Sequence, residues 1–102
     1  MTPEQGDIWW AEAEDKRRPV LVVTRSEAIP VLTWIVVAPL TRTIRGIPTE
    51  IPLDTEHGVD VACAASFDNL QPIRKTFLTR QIGFVPLSRQ QICRALAALA
   101  DC

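Results

Sequence analysis

A chain of 102 residues fits one domain spanning residues 1–102, and its net charge of −1 argues against gripping long nucleic acid by overall charge. A nucleic-acid role would therefore rest on a local basic site. No apolar run approaches the ~20 residues of a membrane span. The polar, acidic start MTPEQGD does not read as a signal peptide. Three cysteines, Cys63, Cys93 and Cys102, are odd in number and far apart. They suggest free thiols in a reducing cytoplasm rather than a disulfide frame, and no membrane partner is expected.

In chain order, Gly6–Glu12 (GDIWWAE) has a β-branched and aromatic centre and reads as a strand. AEDKRR follows as a polar turn. Pro19–Thr24 is a continuous apolar run bounded by charge, which suits a buried strand. SEAIP breaks it, and Leu32–Leu40 forms a third strand, with Pro39 marking its end or an edge position. Thr41–Pro48 is a basic loop punctuated by Gly46 and Pro48. Thr49–Leu53 alternates as a half-buried strand does, DTEHG is a loop, and Val59–Ser66 and Asp68–Ile73 are two short strands. The stretch to Pro86 fits no single period beyond a helical turn near Lys75–Leu78. Ser88 is an N-cap with Gln91 at capping-box spacing. Beyond it Ile92, Ala95, Leu96 and Leu99 share one helical face, suited to packing on the sheet or on another subunit. Short strands followed by one helix describe a mainly β domain with a C-terminal helix, its antiparallel sheet strongly bent or closed into a small barrel.

Several chemistries are excluded. One histidine, His57, rules out a two-histidine acid–base pair within the chain, and its loop marks it as a solvated turn residue. No Cys/His spacing suits a metal, and neither a phosphate-binding glycine loop nor a nucleophile elbow is present. Cys63 sits in a buried strand and Cys93 among helix residues without a base, so a thiol nucleophile is not expected. An enzyme built from these residues would work without metal, cofactor or covalent intermediate.

What remains is three cations, Lys16, Arg17 and Arg18, running straight into Pro19 and a core strand. Taken in order, GDIWW, RRPVLVVTR and VAPLTRTIRG resemble the MazF/PemK family of toxin endoribonucleases, with FDNL in the place of that family's later acidic strand end. The resemblance covers nearly the whole chain, and RPVLVV is its most specific part. It implies a small SH3-like barrel, a homodimer, metal-independent cutting of single-stranded RNA without a cofactor, and a cognate antitoxin partner.

RNA cleaves itself when a 2′-hydroxyl attacks the adjacent phosphorus. A protein must take that proton, hold the phosphate's charge and assist the leaving 5′-oxygen. By resemblance Arg18 is the catalytic arginine, its planar fork suited to two phosphate oxygens and its backbone restrained by Pro19. Thr41 matches the family's hydroxyl residue, with Thr43 close enough to replace it; a turn-forming hydroxyl is the alternative. Asp68 matches the acid that serves some members as general base, or is a plain turn aspartate. Where some relatives carry an arginine two positions before that acid, Ser66 stands here. Lys16, Arg17, Arg42 and Arg45 are candidates for phosphate contacts, and Asn69 and Gln71 for base edges. Of Trp9 and Trp10, adjacent in a strand, at most one is free to stack a base, and Trp34 is expected in the core. The first loop is shorter than the glycine-rich lid of many relatives. Two other readings fit the same chain: a non-enzymatic toxin of the gyrase-poisoning kind acting through its helix, and an RNA-binding module that does not cut.

Overall fold

A computed structural model describes residues 2–13, 16–86 and 88–100. The strands are β1 (Asp7–Ala13), β2 (Lys16–Val22), β3 (Trp34–Thr41), β4 (Glu50–Leu53), β5 (Cys63–Ser66), β6 (Gln71–Arg74) and β7 (Leu78–Phe84), followed by helix α1 (Ser88–Leu99). They form one antiparallel sheet in the order β4-β5-β3-β2-β1-β7, with β6 pairing on β3. The sheet curls into a half-barrel; β4 and β7 end the strand order, and β6, paired only with β3, leaves a further edge.

Alternation along the central strands buries both faces. Leu21, Val23 and Ala38 join Ile8, Phe67 and the helix residues Ile92 and Ala95 in one cluster. Val20, Val22, Ile35 and Val37 point the other way, into a cluster with Trp9, Ile29 and Leu78. Short 3-10 turns at Ile29–Val31 and Lys75–Phe77 flank that second face, tied together where Lys75 Nζ donates to the Ile29 carbonyl at 2.8 Å. The GDIWW stretch shapes the chain's entry. Gly6 has φ +88°, and a Cβ there would run into the Ser88 side chain at the start of α1. Buried Asp7 accepts from the Glu4 amide at 2.9 Å and from the Trp9 indole N–H at 3.3 Å.

Several sequence expectations need correcting. β2 begins at Lys16, so the three cations belong to the strand, opposite Ala13, Glu12 and Ala11 of β1. Of the expected AEDKRR turn only residues 14 and 15 connect the strands, and they lie outside the described residues. Residues 59–62 are not strand; β5 starts at Cys63, and Phe67–Asn69 is a 3-10 turn rather than the start of β6. β7 was missed altogether. The turn near Lys75 is present. Helix α1 is described from Ser88, whose hydroxyl donates to the Gln5 carbonyl. Leu99 is 42% exposed rather than packed. Trp34 is also exposed, beneath the Arg74 guanidinium at 5.2 Å, because Ile35 and Val37 take the inward positions.

His57 closes a 3-10 turn at Thr55–His57, its Nδ1 accepting from the Asp54 amide at 3.1 Å. The turn ends on Gly58 with φ +96°, where the backbone crosses β7 so closely that a Cβ on Gly83 would collide with the His57 carbonyl. Gly83→Ala should therefore cost roughly 1–3 kcal/mol, the usual penalty of overpacking against atoms that cannot yield. Urea unfolding of the variant beside the parent measures it.

Candidate active site

The β2–β3 ladder pairs Val22 with Val37, Leu21 with Ala38 and Val20 with Pro39, then stops. Pro19 and Pro39 have no N–H to continue it. On its other side β2 stays paired with β1 down to Lys16. Residues 16–19 are therefore held by β1 alone and form a lip over the gap left by the parting strands. Carried two residues past its end, the β2–β3 register sets Arg18 level with Thr41. Alternation puts both on one face of the sheet, Arg18 with Val20 and Val22, Thr41 with Ile35 and Val37.

Arg18 is exposed and makes no ion pair or side-chain hydrogen bond among the described residues. Its neighbour Arg17 is engaged, 4.3 Å above the Trp10 ring and 3.9 Å from Glu12. Thr41, half-buried at the end of β3, accepts from the Thr43 amide at 3.1 Å. That bond makes the turn expected of a hydroxyl here, and it leaves the O–H free to donate outward. The basic loop beyond is fixed by Glu50, whose carboxylate accepts from the Arg45 and Gly46 amides at 2.9 and 3.1 Å. The side chains of Arg42, Thr43 and Arg45 are exposed.

Not every expected residue joins this group. Asp68 accepts from the Thr49 hydroxyl at 2.8 Å, and Asn69 donates to Ser66 at 2.9 Å. Thr41 pairs with Ala64, four residues before Asp68, so the two lie on the order of 10 Å apart along the sheet. Gln71 pairs with Val37, further from the lip.

Behind the lip opens a cavity of about 490 Å³ that Thr41 also lines. Trp10 and Pro19, cross-strand partners, form one wall. The turn from Gly58 to Val61 forms another, and Arg42, Arg80 and Gln81 bring polar groups to it. Arg80, Gln81 and Asp60 escaped the sequence reading because β7 and the 58–61 turn lack a clean period. The only signal was the Arg-Gln pair inside a β-branched and apolar stretch. The chain's −1 charge coexists with these cations: Glu4, Glu27, Asp54 and Glu56 do not line the cavity, while Asp60 does and Glu12 faces Arg17.

This architecture is that of a small toxin half-barrel, and the chain belongs to the PemK-like, MazF-like toxins of type II toxin-antitoxin systems, whose family model matches residues 4–102. It is 45% identical over 76 residues to endoribonuclease MazF3 of Mycobacterium tuberculosis, covering 74% of each chain. The solved structure of Mycobacterium tuberculosis toxin MazF-mt6 superposes with a TM-score of 0.80 at 39% identity, over 89% of this chain and 92% of that one. A mycobacterial endoribonuclease in complex with its cognate antitoxin shares the fold, with a TM-score of 0.78 at 24% identity over 95% of this chain and 94% of that one.

Burial pushes the Cys63 thiol above its ordinary range, and the Arg42 guanidinium only partly offsets that. The folded state therefore keeps the Cys63 proton to a higher pH than the unfolded chain does. Its contribution to stability is fully present below the ordinary thiol value and is lost as pH rises from there through the raised folded-state value. The stability of the parent relative to Cys63→Ala should stay level from about pH 7 to 8 and fall as pH rises above about 9 in paired urea titrations. Mass mapping of alkylation at pH 7 should find Cys93, exposed on α1, labelled well before Cys63.

Proposed function

We propose that this toxin is an endoribonuclease that cuts single-stranded RNA at selected sequences by 2′-hydroxyl attack on the adjacent phosphorus. It leaves 2′,3′-cyclic phosphate and 5′-hydroxyl ends and needs no metal or other cofactor. What carries this reading is an arginine with no side-chain partner among the described residues, on a one-sided strand lip, which the extended β2–β3 register sets level with the Thr41 hydroxyl. Arg18 would hold two oxygens of the phosphate as charge builds on them, and Thr41 would donate to a non-bridging oxygen. Lys16, Arg42 and Arg45 line the approach and suit the flanking phosphates. Arg17 contributes less, because Glu12 and Trp10 already engage it. Asp68 is less well placed as the proton acceptor, being hydrogen-bonded to Thr49 and distant from Thr41 within one protomer.

The same reading gives the chain a homodimeric assembly, a cytoplasmic site of action and a cognate antitoxin. The family's toxin-antitoxin pairing and the antitoxin-bound mycobacterial relative support the last. The free thiols at Cys63 and Cys93 suit a reducing compartment.

Purified protein is expected to cut a mixed RNA pool in EDTA and to leave cyclic-phosphate ends. Arg18→Ala should slow cutting by about 10²–10³-fold, the range for losing one donor to transition-state charge. Thr41→Ser should retain most activity where Thr41→Val does not, and Asp68→Asn should cost less than about tenfold, below the usual general-base contribution. Growth arrest with intact RNA would instead favour the gyrase-poisoning reading. Sedimentation of the free toxin checks the dimer.

A further inference from the structure

The cavity behind the lip carries an assignment of its own. Its Trp10 wall offers aromatic surface, and Val61 and Ile82 add apolar contact. Its polar side chains include the cations Arg42 and Arg80, the amide Gln81, the Thr41 hydroxyl and one carboxylate, Asp60. A pocket of this volume, with apolar surface from Trp10, Val61 and Ile82 set beside a handful of polar groups, suits a flat heterocycle rather than a second phosphate. It opens beside Thr41, so a base next to the phosphate at the lip is the part of an RNA strand nearest to it.

Resting on the nuclease reading above, we infer that this cavity takes one nucleobase flanking the cut phosphate and that Asp60 selects which base enters. An ionised carboxylate only accepts hydrogen bonds. Uracil's one donor on its pairing edge, N3–H, is flanked by two carbonyl oxygens that repel a carboxylate, so Asp60 favours a base with an exocyclic amine, meaning adenine, cytosine or guanine. Gln81 can meet either a donor or an acceptor on the same edge, and the Arg80 and Arg42 guanidiniums keep the mouth attractive to the backbone. The close crossing of Gly58 over Gly83 holds the turn that presents Asp60 and Val61.

The test uses full-length toxin and short RNAs carrying a 2′-deoxyribose at the cut site, so that binding is read without cleavage. Each nucleotide flanking that site is varied through all four bases. The parent should prefer an amine-bearing base over uracil at one position, and Asp60→Asn should reduce that preference about tenfold, the usual scale for a base-edge hydrogen-bond pair. Val61→Trp fills the cavity from an exposed turn and should abolish preference at the same position. Cut-site sequencing on a mixed pool should show the same change at that nucleotide. Unchanged preferences in both variants, or shifts at two different positions, would overturn the assignment while leaving the nuclease reading intact. A parent that cuts no RNA would overturn both. If antitoxin peptide binding responds to the two variants while base preference does not, the cavity belongs to the protein partner and the inference fails.

Discussion

One-sided pairing of β2 governs this molecule. At Val20 and Leu21 the strand is paired on both sides; from Lys16 to Pro19 only β1 holds it. A strand bonded on both sides would present its cations on a closed surface, and an unbonded loop would let them swing. The half-held stretch does neither. It fixes the backbone under Arg18 while leaving the side facing β3 open, and the two prolines place the point where the closed sheet gives way to the gap.

The neighbouring groups follow the same division between fixed backbone and free side chain. Glu50 uses its carboxylate on two amides of the basic loop, so that Arg42 and Arg45 can stay in solvent. Thr41 uses a lone pair on Thr43 and retains its proton. Asp7, the acid of the opening motif, is a structural residue that ties the Trp9 indole to the N-terminal turn. Asp7 and Glu50 organise the scaffold, and Lys16, Arg18, Arg42 and Arg45 are left exposed, which is how a chain of net charge −1 can present a local basic site.

The buried strands β2 and β3 were legible because their apolar runs are continuous, and α1 because its apolar spacing is helical. Arg18 and Thr41 were legible only through resemblance; nothing in their local pattern separates them from ordinary surface residues. The cavity could not be read at all. Its walls come from five separated stretches, and β7, rich in polar residues and containing Gly83, shows no alternation that would announce a strand. Trp34 misled for a related reason: an aromatic residue in an apolar strand looks internal until the phase of the strand is known.

Trp10 and Ala11 are consecutive on β1, and they stand opposite Pro19 and Arg18. The first pair walls the cavity and the second carries the guanidinium, so the hairpin acts as a ruler with a single graduation. Sliding its register by one residue would exchange the two faces at once. Drift in what the toxin reads must therefore come through the turns that surround the ruler, because the ruler itself admits no intermediate setting.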